Sequence, residues 1–232
     1  MTETTRDTTI PKLGAICAAL MGLAYLALAS SAPFFPDDFK VVGTGDPSKY
    51  YTALIEHPLI ILFVVDGLTI IMGLAGIGAV QALSKLVDHV NPGLVRYTGF
   101  LAQFGLALKA LDSFRGLALA QLRAQAWLDG DASTRAAIGA TRLTLDYYAW
   151  FFLGAVGLWL LVVSIASLRS GALSPARSWL GLAHALGSLL MGAGFWFHSV
   201  AVLDVGTYAL GVTGVVWWLA VAPALYRKEV AP

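Results

Sequence analysis

Residues 98–126 read TGFLAQFGLALKALDSFRGLALAQLRAQA. The stretch is long enough to cross a bilayer as a helix, yet it carries Lys109, Asp112 and Arg115 near its middle. On insertion scales a charge at the bilayer centre costs at least ~2.5–3.5 kcal/mol. Three in one span, with Asp66 in the apolar run before it, need partners or a wet cavity. The stretch therefore indicates both a membrane setting and the place of a polar interior.

Working outward, the whole chain fits that setting. Of its 232 residues 58% are hydrophobic and only 12% charged, and the mean hydropathy is +0.74. A soluble domain of this size needs more charge to cover its surface. The net charge of +1 supplies no basic stripe for phosphates, which excludes nucleic acid as a partner. The single cysteine, Cys17, excludes an intramolecular disulfide and a cysteine-based metal site.

Helices are expected near 13–34, 58–83, 98–126, 144–168, 179–199 and 205–226, each long enough to cross the ~30 Å hydrocarbon core. The fold class is all-α: a polytopic membrane bundle of six transmembrane helices in one domain, 1–232. Residues 1–12 form a cytoplasmic tail. The first run is longer than a signal-peptide core, so it is read as a retained span. Residues 35–57 form an outer loop. In it Asp46-Pro47 starts a short interfacial helix carrying Tyr50, Tyr51, Leu54 and Ile55. Asp131-Ala132-Ser133 starts another short helix before the fourth span.

Loop cations set the orientation. One side holds Arg6, Lys12, Lys85, Arg96, Arg169, Arg177, Arg227 and Lys228. The other holds Lys40, Lys49, Arg123, Arg135 and Arg142. The larger set places both termini in the cytoplasm. The spans contain no internal repeat. Their glycine-rich stretches, such as 73–78 and 188–192, read as close helix packing rather than as phosphate loops.

Several segments are familiar together: Gly22-Leu-Ala-Tyr-Leu-Ala-Leu-Ala29; Phe63-Val-Val-Asp66-Gly-Leu running on to Ala82-Leu-Ser-Lys-Leu-Val87; and Gly157-Leu-Trp-Leu-Leu161 continuing to Leu168-Arg-Ser-Gly171-Ala-Leu and Gly181. In this order the chain resembles an uncharacterised bacterial six-helix integral membrane family, domain of unknown function 4386. The resemblance implies six helices and a bacterial cytoplasmic (inner) membrane, and it matches the family's aspartate in span two with Asp66. A histidine often found near the start of the family's fourth span has no match here; Asp146 lies close to that point. The family name carries no activity to transfer.

The residues themselves suggest one site and one alternative. Lys109, Asp112 and Arg115 are three apart and so are neighbours along one side of a helix. Asp66 lies about 13 Å below the outer start of span two, and Lys109 about 18 Å above the inner start of span three. These depths nearly coincide, so Asp66 and Lys109 are expected partners in a network of Asp66, Lys109, Asp112 and Arg115. Such a network serves either as a register-fixing ion cluster or as a solute- or proton-binding site at the midplane. His57 and His198 share a depth near the outer face, with Asp146 and Asp204 nearby, and are the candidate outer-face ligands. No metal motif appears, and no cofactor is predicted, although a haem between His57 and His198 stays open. No nucleophile elbow surrounds any serine.

The function read from the sequence is that of a multi-pass inner-membrane protein, without catalysis. It binds or translocates a small solute or protons at a buried charged midplane site, with the lipid bilayer as its partner. Two alternatives remain: a haem- or pigment-associated redox subunit, and a structural accessory subunit docked on other membrane subunits.

Overall fold

A computed structural model describes residues 9–34 and 47–230 of the chain. Among the described residues seven helices and a short 3-10 turn, Ala32–Phe34, form, and no strand occurs. The helices are α1 (Thr9–Ser31), α2 (Pro47–Glu56), α3 (Ile60–Gly67 continuing as Leu68–Val87), α4 (Pro92–Asp129), α5 (Ala132–Ser170), α6 (Pro175–Trp196) and α7 (Val200–Val230). A short helix, α2, forms where one was expected; its expected cap, Asp46, lies outside the described residues.

Helix ends follow local chemistry. Asn91 caps α4 through its side-chain oxygen, which accepts from the backbone N–H of Leu94 at 3.3 Å, and Pro92 fills the first helical position. Gly171 ends α5 in the left-handed region at φ 68°, where a side chain would be strained. Pro175 then opens α6. Asp131 caps α5 by accepting from the Thr134 N–H at 2.8 Å, with the Ser133 hydroxyl donating to the same oxygen at 2.8 Å. No separate short helix precedes the fourth span: α5 runs unbroken for 39 residues from this cap.

That cap carries a pH prediction. The Thr134 backbone bond and the Ser133 side-chain bond lower the Asp131 carboxyl from 3.8 to about 2. A depressed carboxyl stabilises the folded state above its unfolded value and loses that contribution as pH falls through the folded value. Protection of the first α5 amides should therefore hold from pH 7 to about 4 and fade toward pH 2. An NMR titration of the Asp131 carboxyl carbon with a midpoint near 4 would contradict the cap.

The helices pack in a closed ring. In chain order α1, α3, α4, α5, α6 and α7 each pack on the next, and α7 returns to α1, while contact across the ring is slight. Short turns make neighbours antiparallel. Five of the helices, α1, α3, α5, α6 and α7, contain spans long and apolar enough to cross a membrane. The sixth ring member, α4, is not among the five. Its 38 residues reach about 57 Å, and its mid-helix charges set it apart by composition.

Two apolar clusters hold the molecule. The larger fills the end of the ring near the two chain termini, around the fully buried Trp159, Trp217 and Trp218. These indoles pack on one another, Trp217 on Trp218 at 4.5 Å between ring centres. The Trp159 N–H donates to Ser84 Oγ at 2.9 Å, tying α5 to α3, and the Trp217 N–H donates to the Arg177 carbonyl at 3.0 Å, tying α7 to α6. The smaller cluster joins Tyr51, Ala53 and Leu54 of α2 to Leu62 and Ala124. There the Trp127 N–H donates to Ser48 Oγ at 3.3 Å. It seats α2 against the protruding α4–α5 hairpin and marks the opposite end of the ring, called here the α2 end.

Candidate functional site

The tryptophan layer closes one half of the ring, and the other half is open. A cavity of about 710 Å³ lies inside it, bounded by all six ring helices. Its wall includes Tyr25 of α1, Thr69 of α3, Phe152 of α5, Phe195 of α6, and Tyr208 and Gly211 among the lining residues of α7. The lining is overwhelmingly apolar, and among the described lining residues Lys109 of α4 is the charged one. The α7 edge of the cavity reaches the outer surface of the ring, where Tyr208, Val212 and Val216 are exposed.

The register of α4 explains how a lysine comes to face this space. Phe100, Phe104, Leu111 and Phe114 are exposed and recur at helical spacing, which makes them the outward-facing stripe of a ring helix. Lys109 lies about half a turn away from that stripe at 100° per residue. Small residues flank it on the inward face: Ala102, Gly105 and Ala110 are buried. A Cβ at Gly73 of α3 would come 2.8 Å from the Ala110 Cβ, so α3 and α4 touch closely there.

The charges form a chain centred on Asp112. Arg115 donates to Asp112 Oδ1 at 2.7 Å, and Lys109 Nζ lies 3.4 Å from Oδ2. The carboxylate thus uses both oxygens, with the shorter bond to arginine. Arg115 is rotated toward the outward-facing stripe at 100° per residue, and its side chain is 35% exposed.

Asp66 departs from the expected pairing. It feels the charges of Lys109 and Asp112, but among the described residues no ion pair joins it to Lys109. Its carboxylate rests instead on α4 at Gly116, one turn beyond Asp112. A Cβ added at Gly116 would fall 2.8 Å from Asp66 Oδ2, so the missing side chain of Gly116 makes the room. The backbone around Asp66 is unusual as well: residues 60–67 form a π-helix, a wider winding that recurs at functional sites. Lys109 lines the cavity, so the cluster stands beside it.

The remaining sequence candidates lie elsewhere. His57 follows α2 and is exposed; His198 sits in the α6–α7 turn at φ 50° and is exposed, as is Asp204 on α7. Asp146 belongs to α5, with its side chain outside the described residues. Among the described residues no three His, Cys, Asp or Glu side chains are grouped to hold a metal.

Sequence reasoning missed the histidine that is buried. His184 of α6 is fully enclosed by Tyr25, Trp217 and Trp218. The Thr213 hydroxyl donates to the Ala209 carbonyl at 2.5 Å, so its oxygen accepts from His184 Nδ1 at 3.2 Å. That contact fixes the tautomer and props Tyr25 at the cavity floor. Gly214, where a Cβ would come 2.9 Å from His184 Cε1 and 3.0 Å from the Tyr25 ring, makes the space. Gly116, Gly214 and Tyr25 gave no separate sequence signal, because in isolation each reads as helix packing.

Five apolar spans and a charge-bearing sixth helix around an interior cavity define a membrane-type helix bundle. The chain belongs to the family described as Domain of unknown function (DUF4386), which matches it over residues 15–225. No curated protein and no solved structure matches the chain.

Proposed function

We propose that the chain is a six-span membrane protein without catalysis, and that it binds a small molecule inside its ring, with the Lys109–Asp112–Arg115 cluster as the polar end of the site. The observation that carries this reading is the cavity of about 710 Å³ with Lys109 in its wall. Its size falls in the usual ligand range of roughly 300–1,000 Å³. Ionisable side chains in membrane spans are functional by default. The loop cations favour both termini in the cytoplasm, and the family resemblance favours a bacterial inner membrane.

Gly211 supplies the test. It lines the cavity, and a Cβ added there meets nothing within 4 Å. Gly211→Leu should intrude on the site, its first added carbon meeting nothing within 4 Å, and, as a helix-interior glycine replacement, stabilise the empty protein by up to about 1 kcal/mol. Native mass spectrometry of mildly solubilised protein should show a bound small molecule on the parent and a clearly lower occupancy on Gly211→Leu. The same occupancy on both would overturn the cavity as the site.

A further inference from the structure

The ligand class can be read from what the cavity offers and withholds. Nearly every lining side chain is apolar, so a sugar or a free amino acid would leave most of its polar groups unpaired on entering. Two lining hydroxyls have already spent their protons. Thr69 donates to the Val65 carbonyl at 2.6 Å, and Thr207 donates to the Leu203 carbonyl at 2.8 Å. Neither can donate to a ligand without giving up its helix bond.

Lys109 is different. An ammonium has three donors, and among the described residues one is directed at Asp112, over a long 3.4 Å. The Asp112 carboxylate is held more closely by Arg115, at 2.7 Å, and Asp66 does not reach the lysine. The cluster thus leaves a cation with spare donors at the edge of an apolar chamber. The chamber's rim, at Tyr208, Val212 and Val216, lies on an exposed face of α7 that the bundle turns toward lipid.

From this juxtaposition we infer that the ligand is a single-chain amphiphile with a terminal carboxylate, taken up sideways from the bilayer, its chain in the apolar chamber and its carboxylate on Lys109 Nζ. The inference rests on the proposed cavity site and names its occupant. The cavity is an apolar volume with a single charged group at one wall, and its other polar groups are the hydroxyls of Tyr25, Tyr208, Thr69 and Thr207. A solute with two charged ends finds no second charged anchor among the described lining residues.

Binding of radiolabelled palmitate and of hexadecanol to the purified full chain in nanodiscs tests it, with Lys109→Gln, Lys109→Arg and Gly211→Leu as variants. The two probes share a chain and differ in the charged end. A charge-assisted bond to the carboxylate predicts that palmitate binds about tenfold tighter than hexadecanol, and that Lys109→Gln removes this advantage while leaving hexadecanol unchanged. Lys109→Arg keeps the charge and should hold palmitate within about threefold of the parent. Gly211→Leu should weaken both probes together. Equal affinities in the parent, or a preference that survives Lys109→Gln, would overturn the carboxylate while leaving the cavity reading intact. Binding of both probes to Gly211→Leu as to the parent would overturn the cavity reading itself. If Lys109→Gln does not fold, the parent's palmitate-to-hexadecanol ratio and the Lys109→Arg variant still decide the matter.

Discussion

Replacing Asp112 by leucine should cost about 3–5 kcal/mol of stability in detergent, the scale for breaking a buried ion pair by removing one partner. Both of its oxygens are occupied, by Arg115 at 2.7 Å and Lys109 at 3.4 Å. Its loss leaves two cations inside the span with no anion between them. The Asp112 side chain is 24% exposed, so partial screening places the result toward the lower end of that range. Adding Arg115→Leu should recover most of the loss, since the pair then vanishes together. Asp66→Leu combined with Lys109→Leu should show weaker coupling, because no ion pair joins those two. Thermal unfolding of the two double-mutant cycles measures this directly. Stronger coupling between Asp66 and Lys109 than between Asp112 and Arg115 would place the centre of the cluster on the wrong carboxylate.

The second large effect is steric. α6 and α7 meet backbone to backbone through glycines. A Cβ at Gly194 would fall 2.6 Å from the Leu203 nitrogen, one at Gly187 2.7 Å from the Leu210 nitrogen, and one at Gly206 against the Met191 backbone. Backbone atoms cannot rotate aside as a side-chain tip can. Gly206→Val should therefore cost at least about 1–3 kcal/mol, the usual range for overpacking. Gly211→Leu on the same helix supplies the contrast, since the added atoms enter open space. A Gly206→Val protein that melts with the parent would show that the two helices do not approach as described.

Five of the ring helices were legible in the sequence because length and apolar composition mark them as long and apolar enough to cross a membrane; α4 was legible as a helix, but its mid-helix charges keep it out of that set. Chain order then almost dictates the ring, since short turns force neighbours together. The α2 helix was legible from Pro47 and the aromatic–apolar face behind it. The Asp112 pairing was half legible: three-residue spacing announced Lys109, Asp112 and Arg115, but not how closely each would be held. The Asp66–Lys109 relation was only partly legible: Asp66 feels the charge of Lys109, but no ion pair joins them among the described residues. Counting 1.5 Å per residue assumes a regular α-helix, whereas residues 60–67 wind as a π-helix. The cavity was illegible altogether. An open volume arises from how six surfaces fail to meet, and Tyr25, Phe152 and Gly211 read in isolation as ordinary packing residues. The buried His184 was passed over because one histidine has no motif; its meaning lies in Thr213 and in the glycine opposite.

Everything proposed for Lys109 depends on α4 crossing the bilayer, the helix whose composition argues least for it. The direct measurement is cysteine accessibility on either side of α4 in the Cys17→Ala background. His89, in the α3–α4 turn, and Ala136, just after the α4–α5 turn, are both exposed. In intact cells His89→Cys should be shielded from an impermeant maleimide until the membrane is opened, and Ala136→Cys should react at once. Both cysteines reacting from the same side would mean that α4 does not span the membrane, and Lys109, Asp112 and Arg115 would not be intramembrane charges.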